Sequence, residues 1–267
     1  MNVVYNSPRG AVKVMLRVIS ALTVRETHNR HGQLKIGYLW EIIEPVMFIF
    51  ILTAIFAYAR QVNSGPMSPL LFYTTGYLPF MLFRDVMMRT TTAVKGNIQL
   101  LTFPQVQIFD LVIARALLET ANFIVVITVL VSIIALLDLA QFRLDDLLGM
   151  LLAALYLILL GLGSGMAFSA LLPLFPSLEF LVSALLLRPL FFISGVFFYV
   201  DIIPHDLQSY ALLNPILQLL EMFRSAFFLE YESSHFSIVY ISTFTLCTLC
   251  LGLLLQRALR RFAGGTL

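Results

Sequence analysis

Residues 38–59 read YLWEIIEPVMFIFILTAIFAYA, a run in which only Glu41 and Glu44 are charged. The hydrocarbon core of a bilayer is about 30 Å thick and asks for about 20 helical residues, so this run spells a transmembrane helix with both acids in its opening turns. Five further runs of comparable length follow at 69–88, 111–137, 147–172, 180–200 and 236–255. Only short polar gaps separate them. The whole chain of 267 residues is 60% hydrophobic and 12% charged, far from the balance of a soluble domain. The predicted fold class is therefore an all-α membrane protein with six transmembrane helices. One transmembrane domain is expected over 1–267, divided into an interfacial or cytoplasmic N-terminus (1–37), a membrane region (38–255) and a cytoplasmic tail (256–267).

Between the fifth and sixth runs lies an apolar stretch broken at Asn214-Pro215. Its pieces, 207–213 and 216–229, are each too short to span. Two half-helices that enter the membrane and return by the same face are predicted, a geometry that requires burial in protein or beside a watery cavity. Orientation follows from the basic residues. The N-terminal region, the second-to-third connection and the C-terminus together carry eleven lysines and arginines, whereas Arg60, Arg143 and Arg224 are the three left for the other side. Both termini are expected in the cytoplasm, with the chain retained in a bacterial inner membrane without a cleavable signal. Before the first span, residues 9–24 place Arg9, Lys13, Arg17 and Ser20 on one stripe of a helical wheel. A helix lying in the membrane interface is expected there.

No G-x-x-x-x-G-K-[ST] phosphate loop occurs, nor H-E-x-x-H, G-x-S-x-G or a cysteine or histidine cluster with metal spacing. The chain is expected to bind no ATP by that loop, no metal and, with a net charge of only +2, no nucleic acid. Cys247 and Cys250 read as small packing residues. Charges within the apolar runs are costly in lipid and face protein or water. Those singled out are Arg84 and Asp85 in the second run, Arg115 and Glu119 in the third, and Arg188, roughly 12 Å into the fifth at 1.5 Å per residue. Arg188 reads either as one half of an interhelical ion pair, with Glu119 or Glu44, or as a cation lining the path of an anionic substrate. Tyr38 and Trp40 suit an interfacial belt and could also stack on sugar rings. Gly161, Gly163, Ser164 and Gly165 let a neighbouring backbone approach closely, with packing inside the chain as the default. The connection 90–110 is amphipathic, with Val94, Ile98, Leu101 and Phe103 among Lys95, Gln99 and Thr102. That pattern suits a small helix set against a cytoplasmic partner or against the span ends.

Arg25-Glu26, His31-Gly32, Ile36-Gly37-Tyr38-Leu39-Trp40 and Glu44-Pro45 together resemble the opening of the type-2 ABC-exporter permeases, in the branch that exports capsular polysaccharide from Gram-negative bacteria. His31 stands where that family often has Tyr. Ile203-Pro204, Asn214-Pro215, Glu221 and Arg224 are similar to the family's re-entrant hairpin before the last span. The resemblance covers essentially the whole chain. It implies a homodimer, two copies of a separate ABC ATPase that bring ATP and magnesium, a periplasmic adaptor, an outer-membrane channel and a lipid-linked polysaccharide as substrate. It further implies an ATPase contact at Arg25, Glu26, Lys95, Gln99 and Phe103 and a substrate channel lined by Tyr38, Trp40, Arg84, Glu119 and Arg188. Permeases for O-antigen or teichoic acid are the nearest alternative. A secondary transporter would show matching broken helices in two halves, and an embedded enzyme on lipid-linked sugars would need convergent acids or histidines at one membrane face.

Overall fold

The computed structural model describes residues 8–31, 36–59, 68–102, 106–140, 146–228, 231 and 235–263. These residues are mostly helical, with no strand among them. The long helices are α1 (Pro8–His31), α2 (Ile36–Ala59), α3 (Pro69–Thr91), α4 (Ile108–Leu136) and α5 (Leu147–Leu171). Then come the short α6 (Leu178–Leu181) and α7 (Arg188–Ile193), joined by a π-helical segment Val182–Leu187, and α8 (His205–Ala211), α9 (Pro215–Phe227) and α10 (Ile238–Ala263). A 3-10 segment, Lys95–Thr102, kinked at Asn97, lies between α3 and α4.

Among the described residues, four stretches are long and apolar enough to cross a membrane: Leu39–Phe56, Ile108–Leu136, Leu147–Leu171 and Ile238–Ala258. They correspond to the first, third, fourth and sixth expected spans. The second, α3, has the length but carries Arg84, Asp85 and Arg89 in its C-terminal half. The fifth is corrected most. Its helix stops at Ile193 rather than at residue 200, because Ser194 caps it and Gly195 takes the left-handed conformation, φ +79°. A Cβ on Gly195 would meet Leu217 Cδ1 at 2.5 Å, and Asn214 Nδ2 donates to Ser194 Oγ at 3.0 Å. The turn is thereby tied down onto α9.

The core is organised around α3 and α5, which pack on each other. α5 also packs on α10, while α2 and α4 flank α3. Small residues set these approaches. A Cβ on Gly161 would strike Phe83 O of α3 at 2.9 Å, one on Gly165 Met87 O at 2.7 Å, and one on Gly163 Leu249 N of α10 at 2.7 Å. The glycine stripe of α5 is thus consumed inside the chain, as the default reading expected. α1 is longer than the expected 9–24 and lies against α4, with Ile19 and Leu22 buried and Lys13 and Arg17 exposed.

α9 is amphipathic by composition yet buried almost throughout, including Gln218, Glu221 and Arg224. Asn214 caps it by accepting from Ile216 N at 3.0 Å, and Pro215 occupies its first turn, where a missing N–H costs nothing. Together α8 and α9 form the short helical pair that the break at Asn214-Pro215 predicts.

Candidate functional site

Helical spacing puts Glu41 and Glu44 on one face of α2, Tyr77 and Arg84 on one face of α3, and Glu119 and Asn122 on one face of α4. These three faces converge on a cavity of about 130 Å³ that Asp85 and Arg89 also line. Arg84 Nε lies 2.9 Å from Asp85 Oδ1, Arg89 Nε 3.5 Å from Glu119 Oε1, and Asn122 Nδ2 donates to Glu41 Oε2 at 3.1 Å. Four carboxylates therefore face two guanidiniums. The lining is polar and able to exchange hydrogen bonds with hydroxyl groups, and it carries no excess of positive charge for a polyanion. Its volume is below the 300–1,000 Å³ of a ligand-sized pocket, so a bulky substrate would enter only after the helices part.

Of the residues expected in a channel, the cavity gathers Arg84 and Glu119. Trp40 is 60% exposed on the outer side of α2. Arg188 is exposed on α7 and lines no part of this cavity, and among the described residues no carboxylate pairs with it. The ion pairs imagined for it with Glu119 or Glu44 are absent, since Glu119 faces Arg89. Tyr38 occupies the first turns of α2, but its side chain lies outside the described residues.

A second polar assembly binds the end of α1 to the α3–α4 connection. Glu26 Oε1 is 3.1 Å from Arg115 Nη2, both largely buried. Arg115 Nη1 also donates to Arg89 O at 2.9 Å and to Thr92 Oγ1 at 3.0 Å, and Arg25 Nη1 donates to Asn97 Oδ1 at 3.2 Å. Lys95 Nζ, more exposed, reaches Glu179 Oε2 of α6 at 2.8 Å. Of the residues expected to meet an ATPase, Arg25 and Glu26 thus bind the end of α1 to Asn97 and Arg115, Lys95 forms a separate pair with Glu179, Gln99 is exposed, and Phe103 lies outside the described residues. Sequence reasoning saw Arg115 beside Glu119 at a four-residue spacing; the fold gives each a different partner.

At the opposite end of α3 stands a cluster that sequence reasoning did not count among its sites. Arg224 is fully buried, with Nη1 3.5 Å from Glu221 Oε1 and 3.2 Å from Phe198 O, and its Cζ lies 4.3 Å from the centre of the Phe72 ring. Gly76 leaves room for it: a Cβ there would meet Arg224 Nη2 at 2.5 Å. Tyr231 Oη donates to Glu221 Oε2. Burial, reinforced by that carboxylate, pushes the Tyr231 phenol above its ordinary range, so it stays a donor. The signal was present as opposite charges three residues apart inside the apolar run 216–229.

The sequence profile of the ABC-2 type transporter family matches residues 17–228. The polysialic acid transport protein KpsM of Escherichia coli is 34% identical over 249 residues, 93% of this chain and 96% of that protein. The capsule polysaccharide export inner-membrane protein CtrC of Neisseria meningitidis serogroup A is 31% identical over 257 residues, covering 94% and 93%. BexB of Haemophilus influenzae, another capsule polysaccharide export inner-membrane protein, is 29% identical over 243 residues, 90% of each.

Proposed function

The chain belongs to the ABC-2 type transporter family, and from that premise we propose that it is the membrane subunit of an ATP-driven exporter of lipid-linked capsular polysaccharide across the inner membrane. Relatives named for capsule export or polysialic acid transport align over nine-tenths or more of both chains, which supports this reading along nearly the whole chain. Two copies of the chain would work with two ABC ATPase subunits that supply ATP and magnesium. A periplasmic adaptor and an outer-membrane channel would receive the polymer.

In this reading the single membrane domain crosses six times, through α2, α3, α4, α5, the Leu178–Ile193 stretch and α10, with both termini in the cytoplasm and the α8–α9 pair dipping in from the periplasmic face. The Leu178–Ile193 stretch rises about 24 Å at 1.5 Å per residue, short of the full core. The buried turn from Ser194 to Val200 supplies the remaining depth, where irregular backbone is tolerated because protein surrounds it. Arg84 and Glu119 would then line the cytoplasmic half of the polymer's path.

The observation that carries the mechanism is the Glu26–Arg115 pair, which joins α1 to α4 and, through Thr92, to the end of α3, while Arg25 ties α1 to Asn97 of the Lys95–Thr102 segment. An ATPase bearing on Arg25, Glu26, Lys95, Gln99 and Phe103 would move α4, and with it the wall of the charged cavity. The test is complementation. The chain, expressed with its ATPase in a capsulated strain lacking its own export permease, should restore polymer at the cell surface and co-purify with hydrolytic activity. Polymer that stays in the cytoplasm while O-antigen reaches the surface would overturn the capsule assignment. A chain that purifies without any ATPase would overturn the exporter.

A further inference from the structure

Two charges of opposite sign on the outer face of the bundle stand unanswered. Glu44 of α2 and Arg188 of α7 are both exposed, and among the described residues neither takes part in an ion pair or a hydrogen bond. They share one depth. The Phe48 and Phe191 rings meet at 6.2 Å, and Phe56 and Phe197 meet at 6.1 Å further along, so α2 and the stretch from α7 into the turn beyond it run side by side in the same direction. Glu44 lies four residues before Phe48 and Arg188 three before Phe191. Each therefore stands about one helical turn below the same ring contact. The surface around them is apolar and equally exposed: Met47 and Ile51 on α2, Leu185 before α7 and Phe192 on it. Glu44 also lines the charged cavity, where four carboxylates face two guanidiniums, and being exposed it stands at the opening.

We propose that a second copy of this chain seats on this face about a two-fold axis along the membrane normal, with Arg188 of the partner subunit paired to Glu44 and the reciprocal pair beside it. The inference deepens the reading of Leu178–Ile193 as a membrane span in a pair of working copies, and it rests on that reading. An axis along the normal carries each residue to its own depth in the partner, so only groups at equal depth can meet across it. Arg188 alone would meet an identical cation. With Glu44 at the same level on the neighbouring helix, the face is its own complement in charge. Lipid is the wrong cover, because exposed charge within an apolar span is costly there. Water would solvate the two charges and strand the large apolar residues around them. A cytoplasmic ATPase does not reach this depth. The same contact completes the charged cavity, since Arg188 of the partner subunit adds a third guanidinium at its opening.

Charge reversal separates a pair between chains from a pair within one. Two differently tagged copies of the full chain, expressed in one cell without the ATPase, would be extracted in mild detergent and recovered on one tag. The wild-type copies should come together. Copies that both carry Arg188→Glu, or both Glu44→Arg, set like charges against each other twice over and should associate about a hundredfold or more weakly. One copy of each kind is the deciding mixture. Every pair between the chains is then opposite in sign again, while every pair within a chain is like in sign, so association should return to the wild-type level. Return only when both reversals sit in one chain would assign the two residues to each other inside a protomer and overturn the proposal. So would single reversals without effect, or a wild-type chain that stays single. A second measurement needs no reversed charge. In membranes holding the whole complex, with Cys247→Ser and Cys250→Ser throughout, a copy with Glu44→Cys and a copy with Arg188→Cys should be joined by a short thiol cross-linker, and absence of that product would overturn the contact. Neither readout uses polymer or hydrolysis. A chain that exports without this pair refutes the contact alone, and a chain that pairs in this way but finds no ATPase refutes export alone.

Discussion

Arg224 is answered from four directions: the Glu221 carboxylate, two backbone carbonyls at Val196 and Phe198, and the face of Phe72. Removing one partner of a buried pair leaves an uncompensated charge, whereas removing both costs far less. Glu221→Gln should therefore lower stability by about 3–5 kcal/mol, and Glu221→Gln combined with Arg224→Met should recover most of that loss, read as thermal midpoints in detergent. An equal fall in the single and double variants would show that the pair contributes nothing as a pair. Little of this cluster was legible in advance. The charges at Glu221 and Arg224 are plain in the sequence, but the carbonyls and the ring that enclose them come from a turn about 26 residues earlier and from α3, and no local pattern announces such a meeting. Glycine at position 76, which a larger residue would turn into a collision, was equally silent.

The long apolar runs, by contrast, were legible, and two of them closely. α5 ends one position short of its expected limit and α4 begins three positions before its own, because hydropathy over some twenty residues is a strong signal. The fifth helix was overextended because Ser194 and Gly195, a capping pair, sit inside an otherwise apolar string, and the π-helical segment Val182–Leu187 leaves no mark in composition. Between elements, α5 and α10 are held at glycine distance. A Cβ on Gly163 would meet backbone atoms of Thr248 and Leu249 within 2.8 Å, and these cannot yield. On Gly149 the nearest atom is the free-swinging carboxylate of Asp146. Gly163→Ala should thus cost about 1–3 kcal/mol by overpacking and Gly149→Ala less than about 0.5 kcal/mol. Thermal unfolding of the two variants side by side checks this, and equal midpoints would show that α5 and α10 separate freely.

Across the whole molecule, two polar assemblies lie toward one end of α3 and one toward the other. The sequence pointed to ingredients of the first two, since Arg84, Glu119, Arg25 and Glu26 fall within them, whereas Lys95 pairs with Glu179 and Arg188 stands apart, exposed on α7. If the Glu26–Arg115 pair transmits the ATPase stroke, Glu26→Arg and Arg115→Glu should each abolish export while hydrolysis continues. The double reversal should restore it, with a coupling of about 0.5–3 kcal/mol in stability. Export that survives both single reversals would locate transmission elsewhere. The burial of α9 also has a consequence for biogenesis. A 13-residue helix carrying Gln218, Glu221 and Arg224 is too short and too polar for the translocon to release into lipid on its own. It must wait at the water interface until α3 and α5 stand as walls. Both are synthesised before it and only α10 comes after, so the nascent chain closes this compartment almost last. A chain that stops short of α9 leaves the faces of α3 and α5 that receive it without their cover.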